Sequence, residues 1–381
     1  MHILIAPNAF KNSLTAQAAA KALQRGLLKS KLHCTTECFP IADGGDGTSE
    51  LILHKCNGTL VNMTVNDPLG RPITASYGLI DYGTTAVIEM ASASGLRLLK
   101  SHELNPMQAS SYGTGQMLLN ALDGGVDKII LAMGGSATVD GGCGILSALG
   151  VLFLDVDGNA LKPIPASLVH LTTIDTSKLD VRVLNTEIVV ICDVDNRLLG
   201  DKGAAAVFGP QKGASPDDVK QLETVLSRFN EITLEQFGKN MAELKYGGAA
   251  GGSTAGIHAF LNAQLVNGID YFLKLTNFEA SLQKADIVIT GEGSIDEQTL
   301  QGKGPFGVAK LAKQHNIKVI GVAGKVPDEP STGVKEYFDE LISINKQPID
   351  LPTALKNTNE NLVKMGKEIG ELLANKKPLS F

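Results

Sequence analysis

The chain has 381 residues, 43% apolar and 19% charged, with 41 glycines and a net charge of −6. That length exceeds one ordinary core, so two domains are expected, and the composition is that of a folded globular protein, not a disordered one. An acidic balance without a run of lysine or arginine argues against nucleic acid as the main partner, and no apolar stretch is long enough to cross a bilayer.

The opening MHILIAPNAF lacks a basic start and a long apolar stretch, so no signal peptide is expected. HILIAPN reads as a buried strand feeding a loop, and Ala19, Ala20, Leu23 and Leu27 give the helical period of a helix from Thr15 to Leu28. IADGGDGT follows, Ile41 to Thr48, with two aspartates among three glycines. It is either an ordinary Asp-Gly turn or an anion site built on bare backbone. LVNMTVND, PITASYGLID and TTAVIEMA are joined by turns at Pro68-Leu69-Gly70 and Tyr82-Gly83, which predicts antiparallel strands. Next come a helix around Gln116 to Leu122, the strand KIILAM, a glycine-rich loop, a short helix at Cys143 and the strands VLFLD and EIVVIC. Ser215-Pro216-Asp217-Asp218 opens a well-signalled helix: a cap, a first-turn proline and two acids at the positive end of the dipole. AGGSTAGIHAFLNAQL suggests a glycine-rich loop entering another helix.

Towards the end, ADIVITGEG, KVIGVAG and ELISIN are apolar strands, with a helix from Pro305 to His315 between the first two. Strand–helix–strand implies a parallel pair with a right-handed crossover. Thr353 to Asn375 reads as a closing amphipathic helix. The expected fold is α/β in two domains. A doubly wound, Rossmann/flavodoxin-like parallel sheet domain is built from both chain ends, 1–62 plus 275–381. A mixed α/β domain, 63–274, is inserted, with the active site expected in the cleft between them. Five cysteines, at 34, 38, 56, 143 and 192, form no C-x-x-C pair, which reads as reduced thiols in a cytoplasmic protein.

Ligands of open α/β sheets bind beyond the carboxyl ends of the strands, so the loops there are the place to search. GGSATVDGG, Gly134 to Gly142, could offer N–H groups and hydroxyls to phosphate, or be a tight strand-to-helix turn. It is not a Walker A loop, since G-x-x-x-x-G-K-[ST] is absent. DVDN (Asp193 to Asn196) and GEGSID (Gly291 to Asp296) suit another task. Phosphoryl transfer needs magnesium, held by one or two carboxylates with phosphate and water, and an aspartate within reach of the attacking hydroxyl. Capping of a turn is the alternative for each of these acids. Lys11, Lys212, Lys303 and Lys325 lie in glycine-flanked loops, where they are either solvated or in contact with substrate. GKGPFG fits G-x-G-x-x-G but does not directly follow a strand, which argues against a nicotinamide dehydrogenase. Neither H-E-x-x-H nor G-x-S-x-G occurs.

APNAFKNSLTAQAAAKAL, PIADGGDGT, NDPLGRPITASYG, VIEMASASGL, SSYGTGQ, GGSATVDGG, ICDVDN, VFGPQKGA, ADIVITGEGSIDEQT and GKGPFGVA, in this order over roughly residues 1 to 325, resemble the bacterial glycerate kinase family. The resemblance implies ATP-dependent phosphorylation of D-glycerate with magnesium (Mg2+), in glyoxylate and sugar-acid breakdown, with 2-phosphoglycerate favoured over 3-phosphoglycerate. Carried onto this chain, it makes Asp193 and Asp195 the base or metal ligands, with Lys11 also at the catalytic centre. It gives Glu292 and Asp296 a metal role, and Lys11, Ser13, Asp43, Asp46 and Lys303 contacts with the acid. Gly134, Gly135, Ser136, Thr138 and Lys212 then contact phosphate or nucleotide. Two positions depart from the pattern: Asn8 stands where aspartate is usual, and Arg197 where proline often follows DVDN. The implied partners are D-glycerate and ATP, without nucleic acid or membrane, and the oligomeric state stays open, a homodimer being one option. A kinase of a related hydroxy or sugar acid, or a non-catalytic sugar-acid sensor, is the alternative.

Overall fold

The computed structural model describes residues 1–327, 329–347 and 349–375. The chain forms two units, Met1–Asp43 with Asn267–Phe381, and Gly44–Val266. The divisions fall after Asp43 and after Val266, against expected limits near 62 and 275.

Ile3, Leu4 and Ile5 are fully buried, as befits a central parallel strand covered on both faces. That strand, His2–Pro7, pairs in parallel with Thr35–Cys38 on one side and Ile287–Ser294 on the other. Lys318–Lys325 and Glu340–Ser343 follow, also parallel. Counted within the unit, the order is 2-1-3-4-5, the flavodoxin-like arrangement, whose switch point lies between strands 1 and 3. The expected doubly wound sheet from both chain ends is therefore present. The two ends are locked together by helices Ala16–Leu27 and Leu351–Ala374, which bury Ala19, Leu23, Leu362 and Ile369 against Ile3, Ile5 and Ile289. They approach so closely that a Cβ on Gly26 would lie 2.2 Å from the Val363 carbonyl oxygen, and one on Gly366 2.3 Å from that of Leu23.

The second unit carries a six-stranded mixed sheet. Thr59–Asn66 and Pro72–Ile80 are antiparallel, and so are Pro72–Ile80 and Thr85–Glu89, as their turns predicted. Thr85–Glu89 then pairs in parallel with Lys128–Ala132, which pairs in parallel with Glu187–Cys192. VLFLD lies outside this sheet, in an antiparallel pair of Leu152–Leu154 with Thr173–Asp175. The helix Pro216–Phe237 starts as its sequence demands: Ser215 and Asp218 form a reciprocal capping box. This unit has its own core, from Val65 to Ala263. None of the five cysteines is in a disulfide, and Cys143 and Cys192 are buried. No described helix is long and apolar enough to cross a membrane.

Candidate active site

In the first unit, the loops after strands 1 and 3 meet at the switch point. Asp43 Oδ2 accepts hydrogen bonds from Asn8 Nδ2 at 2.9 Å and from the Gly304 N–H at 3.2 Å, the latter at the positive end of helix Gly304–Gln314. Asn8 explains its own departure from the family pattern. Its amide donates to Asp43 while its carbonyl oxygen accepts from the Ala9 N–H at 2.8 Å, and an ionised aspartate could not do both. A Cβ on Gly304 would come within 2.8 Å of Asn8 Nδ2, so glycine keeps this contact open.

Glu292 lies beside them. Burial, then the Asp43 charge, pushes its carboxyl up to about 8, against the opposing pull of Lys303, Lys11 and the Thr299 hydroxyl. Thr299 also accepts from the Asp296 N–H at 3.1 Å, and Ser294 donates to the Asp296 carboxylate at 3.3 Å. Asp43, Glu292, Lys11 and Lys303 thus share one electrostatic neighbourhood. Ser13 is differently engaged: its hydroxyl donates to the Leu355 carbonyl at 2.6 Å, tying the first loop to the closing helix.

In the second unit, three motifs converge. The Gly134 N–H donates to the Gly44 carbonyl at 2.9 Å, and a Cβ on Gly134 would stand 2.5 Å from Gly45 Cα. Gly44, at φ +99°, lies against the Ile191 carbonyl at the end of strand Glu187–Cys192, where Asp193 begins. Gly135, at φ +73°, leaves room for Asp46, whose carboxylate pairs with Arg97. Glu89 accepts from the Gly47 N–H at 3.0 Å and the Ser49 N–H at 3.3 Å, so a half-buried carboxyl caps helix Thr48–Cys56. Burial raises its pKa, more than these N–H groups lower it.

Lys212 is 3% exposed and spans the glycine loop. Its Nζ donates to Ser136 Oγ at 2.9 Å and to the Thr138 carbonyl at 2.8 Å. Burial lowers its pKa to about 7, while Asp140 and Asp193 act in the opposite sense. Asp140 is fully buried and accepts from Ser111 Oγ and from the N–H groups of Ser111, Gly142 and Gly144 at 2.7–3.2 Å. Asp193 is half-buried beside this assembly, whereas Asp195 is exposed. Sequence reading passed over Glu89, Arg97, Asp140 and Thr299. Glu89 lies inside the quoted VIEMASASGL and Asp140 inside GGSATVDGG, so the signal was present without the role. The loop Gly247 to Gly252 was seen only as glycine-rich. It packs on both other loops: the Gly248 N–H donates to the Asn196 carbonyl, and the Gly251 carbonyl accepts from the Gly141 N–H.

Carboxylates able to take a hydroxyl proton, lysines to balance phosphate charge and backbone left bare by glycine are what phosphoryl transfer to a small alcohol requires. The chain is thereby placed among small-molecule kinases. Its sequence matches the profile of the glycerate kinase family over residues 3–374. It is 42% identical over 369 residues to a glycerate kinase of Bacillus subtilis (strain 168), covering 97% of each chain. It is 38% identical over 374 residues to a protein of Escherichia coli (strain K12) named glycerate 2-kinase, covering 98% of each. A crystal structure assigned as glycerate kinase 2 from Salmonella typhimurium LT2 superposes with a TM-score of 0.82 at 40% identity, covering 99% of both chains. The chain belongs to the glycerate kinase family, and it is an ATP-dependent kinase with an alcohol group as acceptor.

Proposed function

We propose that this kinase phosphorylates D-glycerate on its 2-hydroxyl, giving 2-phosphoglycerate in the breakdown of glyoxylate and sugar acids. The observation that carries the reading is the cluster of Asp43, Glu292, Lys11 and Lys303 at the switch point. A three-carbon hydroxy acid needs a cation for its carboxylate and hydrogen-bond partners for two hydroxyls, and this cluster offers both. The 2-position is supported by the name of the Escherichia coli relative.

In this reading Lys11 and Lys303 bind the acid's carboxylate, and Asp43 orients a hydroxyl, held by Asn8 and the Gly304 N–H. Asp193, with Asp195, takes the hydroxyl proton as the oxygen attacks the terminal phosphorus of ATP, and ADP leaves with its charge balanced by surrounding cations. Gly134, Gly135, Ser136 and Thr138 cradle phosphate oxygens, with Lys212 fixing that loop and Asp46 bracing it through Arg97. Magnesium fits this donor set. A half-buried carboxyl raised by desolvation and by the negative charge of Asp43 favours a bound cation, and Glu292 with Asp296 would supply the one or two carboxylates that magnesium takes. When bound, the ion neutralises charge on the migrating phosphoryl group.

The test is a coupled assay with Mg-ATP and D-glycerate that reads ADP release, with the product identified by phosphorus NMR. Formation of 2-phosphoglycerate is expected. Formation of 3-phosphoglycerate would overturn the regiochemistry, and absence of turnover with glycerate would overturn the substrate.

A further inference from the structure

The first unit contains a groove of about 580 Å³. It lies along the carboxyl edge of the parallel sheet, beside the ends of strands 3, 4 and 5 and the start of the closing helix. Two glycines line it: Gly293 and Gly324 are neighbours on adjacent strands, and a Cβ on Gly324 would stand 2.7 Å from the Gly293 carbonyl oxygen. Two lysines with no ion pair among the described residues, Lys11 and Lys325, line it. Ile349, Leu351, Ala354 and Leu355 add aliphatic surface to a lining that also holds Ser343, Asn345, Lys346 and Gln347. Of the four large apolar side chains exposed among the described residues of this unit, Met1, Leu28, Ile349 and Leu351, the last two are on this groove.

We infer that this groove binds the nucleoside end of ATP, with the adenine against Ile349 and Leu351 and the phosphates running past Lys325 towards Lys11. The inference rests on the kinase reading and goes beyond it, because it locates the nucleoside end of the nucleotide in the unit built from both chain ends. The ligand must be amphiphilic, since the groove presents lysines together with aliphatic surface, Ile349 and Leu351, exposed to water that a flat heterocycle would cover. Glycerate is far too small to fill such a volume and has no apolar body. Polyanions approach most closely where backbone has no side chain, and the paired glycines provide that. Direction follows from Lys11. It lines the groove and also acts on Glu292, so the end of the groove nearest Lys11 is the end nearest the reacting carboxylates. Gly293, next in sequence to Glu292, makes the same connection.

The experiment measures MgADP binding to the full-length protein by calorimetry, beside steady-state kinetics, for the wild type, Lys325→Ala and Ala354→Trp. Lys325 is exposed, so its removal leaves the fold intact. Ala354 is half-buried on the closing helix, and tryptophan there fills the groove without changing charge. Lys325→Ala should raise the Kd for MgADP and the KM for ATP about tenfold, the loss of one charge-assisted contact, while the KM for glycerate stays within about twofold. Ala354→Trp should lose MgADP binding with its melting transition retained. If both variants bind MgADP as the wild type does while turnover persists, the nucleotide lies elsewhere and the inference falls, with the kinase reading intact. A wild type with neither MgADP binding nor ATP-dependent turnover would remove the kinase reading and the groove assignment together.

Discussion

At Asp193 the proposed chemistry depends on one carboxylate at the end of a strand, half-buried and close enough to Lys212 for its charge to be felt there. Asp193→Asn keeps the shape and removes the proton acceptor. Turnover should fall by about a hundredfold or more, with the circular dichroism spectrum and melting temperature unchanged; near-normal activity would exclude Asp193 from proton transfer. Glu292 makes a different claim. Its folded pKa is raised from 4.5 to about 8, so between those values the folded state holds a proton that the unfolded state has released. This contribution to stability is complete at low pH and is lost as pH rises towards 8. Glu292→Gln mimics the protonated form at every pH. Urea unfolding without magnesium should therefore show the wild type losing stability relative to the variant between about pH 5 and pH 8.5. A pH-independent difference would mean that Glu292 is ionised throughout.

Among the elements, the glycine loop Gly134 to Gly142 owes its shape to a lysine seventy-odd residues away in sequence. A buried ammonium is costly, and Lys212 recovers that cost only through Ser136, the Thr138 carbonyl and the nearby acids. Methionine at this position fills the space without the charge. Lys212→Met should cost at least about tenfold in kcat/KM for ATP while shifting the melting temperature little, because lost hydrogen bonds are offset by relief of desolvation. A collapse in stability with normal kinetics among the surviving molecules would make the lysine purely structural. The same distance in sequence separates what could be read from the chain and what could not. Ile3 to Ile5, Ile287 to Ile289 and Ile129 to Leu131 announce themselves as buried strands, and Ser215-Pro216 announces its helix. Thr35–Cys38 does not, because an edge strand with no fully buried position carries no hydrophobic period. Helix Thr48–Cys56 was also missed. It begins at Gly47 with no side-chain cap of its own, its N–H groups satisfied by Glu89. The glycine and aspartate motifs marked where a site could lie. They did not reveal that Ser13 is bonded to Leu355, or that Asp46 is paired with Arg97, since both partners come from outside the motif.

For the whole molecule, the decisive fact is that each unit buries its own core. The cluster from Val65 to Ala263 lies wholly within Gly44–Val266, while Ile3, Ile5, Leu23, Ile289, Ile320 and Ile369 belong to a separate one. The boundary at Asp43–Gly44 cuts through IADGGDGT, with no linker composition to mark it, which is why sequence placed the division later. A continuous segment with its own core should fold alone, whereas the other unit needs both chain ends at once. Residues 44–266 expressed as a fragment should therefore unfold cooperatively in urea and bind no hydrophobic dye, yet support no ATP-dependent phosphorylation, because Lys11, Asp43, Glu292 and Lys303 are absent from it. Residues 267–381 alone should not fold, since they lack the interior strand His2–Pro7 of their sheet and the helix against which Leu351–Ala374 packs. Adding a peptide of residues 1–43 should restore a cooperative transition to that second fragment. If 44–266 instead gave a compact, dye-binding state without a cooperative transition, its core would depend on the rest of the chain, and the two units would have to be treated as one folding entity.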